Sequence, residues 1–368
     1  MSHNLSRTYG VIPAALDRAL ARALKQEAED RVRVLDIDKE KMVIFSDQHK
    51  GNRDDADDFL ACERAYNAAL AYYHQRGYTL AVLGDVEELW EERAKTVLKA
   101  YPHTLDLEAK FHHSGRYLRF WGNHDDAWSH ADLVDNLLAP ALGGGPLKVY
   151  EVMILHVRDE EAELGRILLL HGHQGTLDSD TFASVSRVFV RYIWRPIQRL
   201  LKVHLNTPAK DYELRHAHNI VMYSWSEAQE KLVLIAGHTH RPVFKSMSHE
   251  DMLREALQDA EARLAQDLRD AALRRHVAEL GAELEWVMAQ EQESPADGQQ
   301  ASPEGLPLAE FRKPSYFNTG CCCYLDGDIT GLEISEGEIR LVRWPDDEDR
   351  PQPKVLASAK LIDVFAAC

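Results

Sequence analysis

Five times along this chain a short apolar run ends on a polar or glycine residue that could hold a metal ion or make room for one. Met42-Val43-Ile44-Phe45 runs into Ser46-Asp47, and Thr79 to Leu83 runs into Gly84-Asp85. Tyr117 to Trp121 leads to Gly122-Asn123, Ile167 to Leu170 to His171-Gly172, and Lys231 to Ala236 to Gly237-His238. Apolar runs of this length, bounded by turn residues, predict buried strands. Helical patterns precede the first run, at 12–30, and fall between later ones, at 54–75, 88–100 and 106–113. Strands alternating with helices predict an α/β layered fold. Polar residues gathered at the carboxyl ends of such strands predict a site in the crevice there.

The length, 368 residues, permits one large α/β domain or two ordinary ones. A formal charge of −17 argues against nonspecific binding to a nucleic-acid backbone, and no strong nucleic-acid signal is present. The N-terminus lacks the apolar core of a signal peptide, and no apolar run is long enough to span a membrane. The five cysteines are odd in number, and three of them are adjacent at Cys321-Cys322-Cys323. That usage fits a reducing, cytoplasmic setting, with the triplet read as small apolar residues of a buried strand.

Two segments interrupt the rhythm. One, 176–230, is aromatic-rich and reads as a helical, lid-like insert. The other, 247–310, begins with leucines and valines at helical spacing from Asp251 to Gln290 and ends in the linker-like EQESPADGQQASPEGLP. It reads as a long helix or a helical hairpin, with Gly281 as a break. Strand patterns resume at 316–325, 329–334 and 338–344, separated by turn signals. The expected organisation is a main domain over 1–246 and 311–346, a helical insertion at 247–310, and a tail at 347–368. That tail either docks on the body or meets a partner.

Read together, the strand ends form an ordered set: Asp47-Gln48-His49, Gly84-Asp85, Gly122-Asn123-His124-Asp125, His171-Gly172-His173 and Gly237-His238-Thr239-His240. Their first ligand-type residues are 38, 38, 48 and 67 residues apart. Carboxylate, imidazole and amide oxygen are ligands that suit Mn, Fe or Zn. If extended, Asp-x-His and His-x-His each point both side chains to one side. Such a set can hold two divalent ions with one carboxylate between them.

This ordered set resembles the calcineurin-like metallophosphoesterase superfamily over roughly 40–242 and the strands near 316–344. The resemblance implies a four-layer α/β/β/α sandwich and two divalent metal ions per chain, with Mn²⁺ favoured. It implies Asp47, His49, Asp85 and His240 at one metal, and Asp85, Asn123, His171 and His238 at the other. His124 would contact the phosphate or protonate the leaving group, and Asp125 would orient it. His173 is a weaker substrate contact. Gly84-Asp85-Val86-Glu87-Glu88-Leu89-Trp90 and Gly-His-Thr-His-Arg-Pro at 237–242 are similar to the UDP-2,3-diacylglucosamine pyrophosphatase branch. The chain departs from that branch in having Gly-Asn-His-Asp where the branch has Gly-Asn-Arg-Asp, and in its long insertion.

The implied activity is hydrolysis of a phosphate ester or pyrophosphate by hydroxide held on the metals. The substrate would be a small anionic phosphorylated molecule, lipid-linked or nucleotide-linked. A general phosphodiesterase or nuclease, and a non-catalytic scaffold on the same fold, are the alternatives. Arg241, beside the last ligands, is a candidate phosphate contact. Within the first insert, Arg187, Arg191, Arg195 and Arg199 recur every four residues among aromatics, and the window 187–202 carries five bases and no acid. If helical, it sets an arginine ridge beside an apolar face. Arg191 and Arg195 are therefore candidate contacts to an amphiphilic anion, and 182–202 a candidate peripheral membrane contact. The near-heptad spacing in 247–310 permits a homodimer.

Overall fold

Strands that are apolar on both faces need cover on both faces, and the chain supplies it by stacking two sheets between helices. In the computed structural model the described residues are 2–29, 32–174, 208–265, 271–292, 313–347 and 351–368. Strands are numbered along the chain. One sheet holds β1 (Val34–Asp36), β6 (Val152–Asp159), β7 (Ala162–Leu170), β8 (Leu232–Ala236), β11 (Tyr316–Thr319), β9 (Pro242–Phe244) and β10 (Met247–Ser248), in that spatial order. The other runs β14 (Lys354–Lys360), β13 (Glu338–Trp344), β12 (Ile329–Ser335), β2 (Met42–Phe45), β3 (Thr79–Leu83), β4 (Tyr117–Phe120) and β5 (Val149–Tyr150). β2 to β5 are parallel to one another, as are β7, β8 and β11.

The two-residue period of a strand divides its side chains between layers. Met42 and Ile44, Ala81 and Leu83, Ile167 and Leu169, and Val233 and Ile235 all meet in one cluster between the sheets. Their alternates face outward. Val43, Phe45, Leu80 and Val82 pack with Tyr66, Leu70 and Tyr73 of the helix Glu63–Gln75 and with Phe111 of the helix Pro102–His113. Leu168, Leu170, Leu232 and Leu234 pack with Ile12, Leu16 and Ala19 of the helix Ser2–Glu29 and with Met222, Tyr223 and Trp225 of the helix Pro208–Glu227. The result is a four-layer α/β/β/α sandwich with helical insertions.

Several local expectations change. Residues 54–62 are turns rather than the start of a helix, because the Asp57 carboxylate accepts from the backbone N–H groups of Arg53 and Phe59. The helix expected from Glu88 begins only at Ala94. The strand expected over 316–325 stops at Thr319, where Gly320 takes a φ of +74°. The cysteine triplet therefore lies in a turn after β11 and not in a strand. Gly281 breaks nothing. It sits inside the helix Ala271–Gln292, in open space. That helix pairs with His249–Leu264 through Leu253, Leu284 and Val287, so this apolar seam is internal to the hairpin. Glu283 ties the hairpin to the body by accepting from Arg343 at 3.1 Å and Lys354 at 2.5 Å. The expected lid helix at 182–202 lies outside the described residues, as do Arg191 and Arg195. Among the described residues no helix is long and apolar enough to cross a membrane.

The tail docks. β14 pairs antiparallel with β13, and the helix Leu361–Ala367 buries Leu361, Val364 and Phe365 in the cluster between the sheets. Phe365 lies against Gly165, where a Cβ would come within 2.5 Å of its ring. Truncating this anchor removes buried area and leaves a cavity. Phe365→Ala is expected to cost about 3–5 kcal/mol, read as a lower urea midpoint at unchanged slope; a midpoint equal to wild type would show that the tail does not hold the core.

Candidate dinuclear metal centre

The parallel strands of both sheets end on the same side, and their loops are stitched together by backbone hydrogen bonds. Asp47 N–H donates to Gly84 O at 3.1 Å, His49 N–H to Asp85 O at 2.9 Å, and Gly237 N–H to His171 O at 2.8 Å. His238 N–H crosses from one sheet to the other to reach the Asp47 carboxylate at 2.9 Å. Such approaches leave no room for side chains. A Cβ on Gly84, whose φ is +94°, would lie 2.5 Å from Gly122 N, and one on Gly237 would lie 2.5 Å from Asp47 Oδ2.

The paired motifs are not extended. Asp47 and His49 have φ of 55° and 50°, Asp85 of 51°, and His238 and His240 of 71° and 57°. Non-glycine residues in this left-handed region cost of order 1–3 kcal/mol each and gather at functional sites. The shared direction expected of Asp-x-His is thus reached by strained turns rather than by continued strand.

Asp47, His49 and His240 bring one ligand atom each to within 4.8 Å of one another, and so do Asp85, His171 and His238. A further overlapping group is His49, Asp85 and His124. Asp85 thus stands between the two sets. His240 Nε2 lies 3.3 Å from Asp47 Oδ1 and 3.1 Å from His49 Nε2. His171 Nε2 lies 3.1 Å from Asp85 Oδ2.

The outer nitrogens decide what these inner ones can do. His171 Nδ1 is 2.8 Å from Leu83 O, and a carbonyl only accepts, so Nδ1 carries a proton and Nε2 turns a lone pair inward when the ring is neutral. His49 Nδ1 donates to Glu88 Oε2 at 3.1 Å in the same way. Lone pairs and carboxylates converging on one point are what a cation requires. Asn123 Oδ1 is buried with no hydrogen-bond partner among the described residues, which also fits a ligand facing an ion. The residues present therefore fit a pair of divalent cations.

Charge points the same way. Burial works against ionising Asp85, yet the neighbouring His171 and His124 hold its carboxyl well below the usual range. Burial also opposes protonation of His171, but Asp85 and Asp47 lift it to about 9. Away from the carboxylates burial wins. His173 falls to about 3, with His171 adding to the effect, and His218 falls to about 4.

His124 has a different orienting group from the one expected. The Asp125 carboxylate instead accepts from Gly122 N–H at 2.6 Å, Val86 N–H at 3.0 Å, Asp85 N–H at 3.2 Å and Arg119 at 3.0 Å. It fixes the two loops that carry Asp85 and Asn123. Four donors occupy it because it points back beneath those loops. His124 Nδ1 donates at 2.7 Å to Glu88 Oε2, the same oxygen that His49 uses. Burial opposes charge on His124, but Glu88 and Asp85 lift it to about 10. Trp90 stacks on its ring at 4.3 Å with 20° between planes.

The helical pattern over 88–100 hides Glu88 in the sequence. The turn at 88–92 places it, with Glu88 N–H on Lys50 O and Leu89 N–H on His124 O. His218 was also missed. Its Nε2 donates to Gly172 O at 2.9 Å, and its ring lies 5.3 Å from that of His238. His173 is buried, 5.1 Å from Trp121 and 5.4 Å from His171 by ring centroids. Arg241 is engaged away from the centre by Glu250 of the insertion, at 3.2 Å.

No family model matches the chain, and no curated protein matches it. Among solved structures it is similar to a dimetal phosphatase from Danio rerio, at 11% identity over 86% of this chain and 99% of that one, with a TM-score of 0.33. A superposition that loose carries no weight. The sandwich and the ligand clusters rest on this chain's own residues.

Because Asp85 sits with His171 and His238 and also groups with His49 of the other set, whereas Asp47 groups with one set alone, their losses should differ. Asp85→Asn is expected to weaken both Mn²⁺ binding events in a calorimetric titration, each by at least ~100-fold, whereas Asp47→Asn weakens chiefly one. Equal patterns for the two variants would contradict the shared position.

Proposed function

We propose that the protein is a dinuclear metal-dependent phosphohydrolase that cleaves a phosphate ester or pyrophosphate. The observation that carries this reading is Asp85, grouped with His171 and His238 on one side and with His49 and His124 on the other. When bound, a pair of divalent cations supplies Lewis-acid polarisation of a phosphoryl oxygen and an acidified water as nucleophile. The chain's own groups do the rest. Asp47, Asp85, Asn123 and the four histidines fix where the ions sit. Asp125 and Arg119 hold the loops that carry Asp85 and Asn123. Glu88 keeps His124 Nδ1 protonated, so Nε2 is the atom free to face a substrate oxygen. A raised basicity suits His124 to hold a proton and give it to a leaving oxygen.

The finer reading is a pyrophosphate or ester with an amphiphilic leaving part, and Mn²⁺ as the working ion. Two features support it. The basic, aromatic stretch containing Arg191 and Arg195 follows His173 closely in sequence and ends before the helix that carries His218. Half-buried Trp90 stacks on His124, giving an apolar wall beside the proton donor. A cytoplasmic enzyme at the inner face of a membrane, meeting lipid-linked or nucleotide-linked pyrophosphates, matches that chemistry.

A reconstituted screen tests the activity. Chelator-treated protein should be inert, and Mn²⁺ should restore hydrolysis of bis-p-nitrophenyl phosphate or of nucleotide-linked pyrophosphates. Hydrolysis that persists in chelated Asp85→Ala protein would sink the reading. The proton donor has its own test. His124→Asn should lower kcat by about 10²–10⁴-fold with an alkyl leaving group, and much less with p-nitrophenolate, which needs no proton. Equal losses would remove His124 from that role. For the basic stretch, Arg191→Glu with Arg195→Glu should raise KM for an amphiphilic pyrophosphate more than for p-nitrophenyl phosphate. An equal rise would assign those arginines to structure.

A further inference from the structure

The turn after β11 places a pair of thiols against the back of a metal-ligand histidine. Successive residues of Cys321-Cys322-Cys323 face opposite ways. Cys322 enters the cluster with Phe45, Tyr66 and Trp344 and donates its N–H to Asp47 O at 3.1 Å. Cys321 and Cys323 face the other way, and their sulfurs lie with a ring nitrogen of His240 inside a 4.8 Å group. Cys323 Sγ is 3.6 Å from His240 Nδ1, the nitrogen turned away from Asp47 and His49. In a tetrahedral zinc site, bonds of about 2.3 Å to sulfur and 2.0 Å to nitrogen set the sulfur-to-nitrogen edge at about 3.6 Å. Cys321 is buried, whereas Cys323 and His240 are part-exposed, so an ion has a path in and a fourth position for water.

We propose that Cys321, Cys323 and His240 Nδ1 form a separate site for a thiophilic divalent cation of the Zn²⁺ or Cd²⁺ class. Binding displaces the two thiol protons and the Nδ1 proton, and forms two metal–sulfur bonds and one metal–nitrogen bond. His240 then bridges this ion and the cluster of Asp47 and His49 through its two nitrogens. Filling the site replaces the contact between His240 Nδ1 and Cys323 Sγ, so it acts on the dinuclear centre from behind. Binding itself stands on the three ligand atoms. Only its effect on hydrolysis rests on the phosphohydrolase reading.

The probe is Cd²⁺ added to the full-length, reduced, Mn²⁺-loaded protein, followed by the ultraviolet charge-transfer band that reports thiolate–cadmium bonds alone. One equivalent should develop the band of a two-thiolate site. Cys323→Ser and Cys321→Ser should each weaken the Cd²⁺ affinity read from the band at least about tenfold, and Cys368→Ser should leave it unchanged. Circular dichroism checks that each variant folds. Should Cys321→Ser not fold, the part-exposed Cys323→Ser and the ¹¹³Cd chemical shift of the wild-type complex, which separates two-sulfur from oxygen–nitrogen ligation, still decide. No band in wild type, or a band untouched by Cys323→Ser, overturns the site whatever the activity. If the band forms as expected and hydrolysis responds equally in wild type and Cys323→Ser, the site stands and its coupling to the dinuclear centre is overturned.

Discussion

Buried negative charge is the constraint around which the rest is arranged. Asp47 and Asp85 are almost wholly buried, and Glu88 is close beside them. Taking carboxylates out of water is expensive unless positive charge meets them. Among the described residues the basic groups that meet Asp47 and Asp85 directly are imidazoles, and these divide into two kinds. His171 and His124 are pushed toward the charged form by adjacent carboxylates, while burial drives His173, His218 and His238 to neutrality. A cluster of buried carboxylates that draws positive charge onto its imidazoles, and in which His171 and His49 present a lone pair inward once neutral, is suited to take that charge as metal ions. The left-handed backbone at five ligand residues is the strain that such a cluster stores.

Holding those turns takes a second tier of buried charge. Arg119 is fully buried and donates to both Glu87 and Asp125, and Trp128 adds its indole N–H to Glu87. Lys50 meets Glu108 at 2.5 Å with both side chains nearly inaccessible. Breaking such pairs strands a charge, which is why networks of this kind fix one geometry. Asp125 is the link between the tiers. It is paired to Arg119 below and gathers the backbone N–H groups of Asp85, Val86 and Gly122 above. Its influence on His124 therefore runs through loop position, and the carboxylate that accepts from the imidazole is that of Glu88.

The candidate ligand set is legible because each member follows an apolar strand, and parallel strands bring their carboxyl ends together whatever lies between. The alternation within Met42 to Phe45 and Leu232 to Ala236 likewise separates the inner from the outer layer. What was not legible depends on turns. Glu88 looks like the first turn of a charged helix, and only the backbone bonds to Lys50 and His124 make it a shared acceptor. The three cysteines look like one apolar strand, and only the left-handed Gly320 ends β11 before them. Asp125 follows His124 directly, yet sequence adjacency says nothing about which way a carboxylate points. Arg241 sits beside the ligands in sequence, and Glu250 draws it toward the insertion.

The most direct test of the shared Asp85 is electron paramagnetic resonance of the protein loaded with two equivalents of Mn²⁺. A carboxylate between two ions places them roughly 3.5–4 Å apart, close enough for their spins to couple. The account predicts an exchange-coupled spectrum that Asp85→Asn converts to that of isolated ions. Isolated Mn²⁺ signals in the wild-type protein, at full loading, would contradict it.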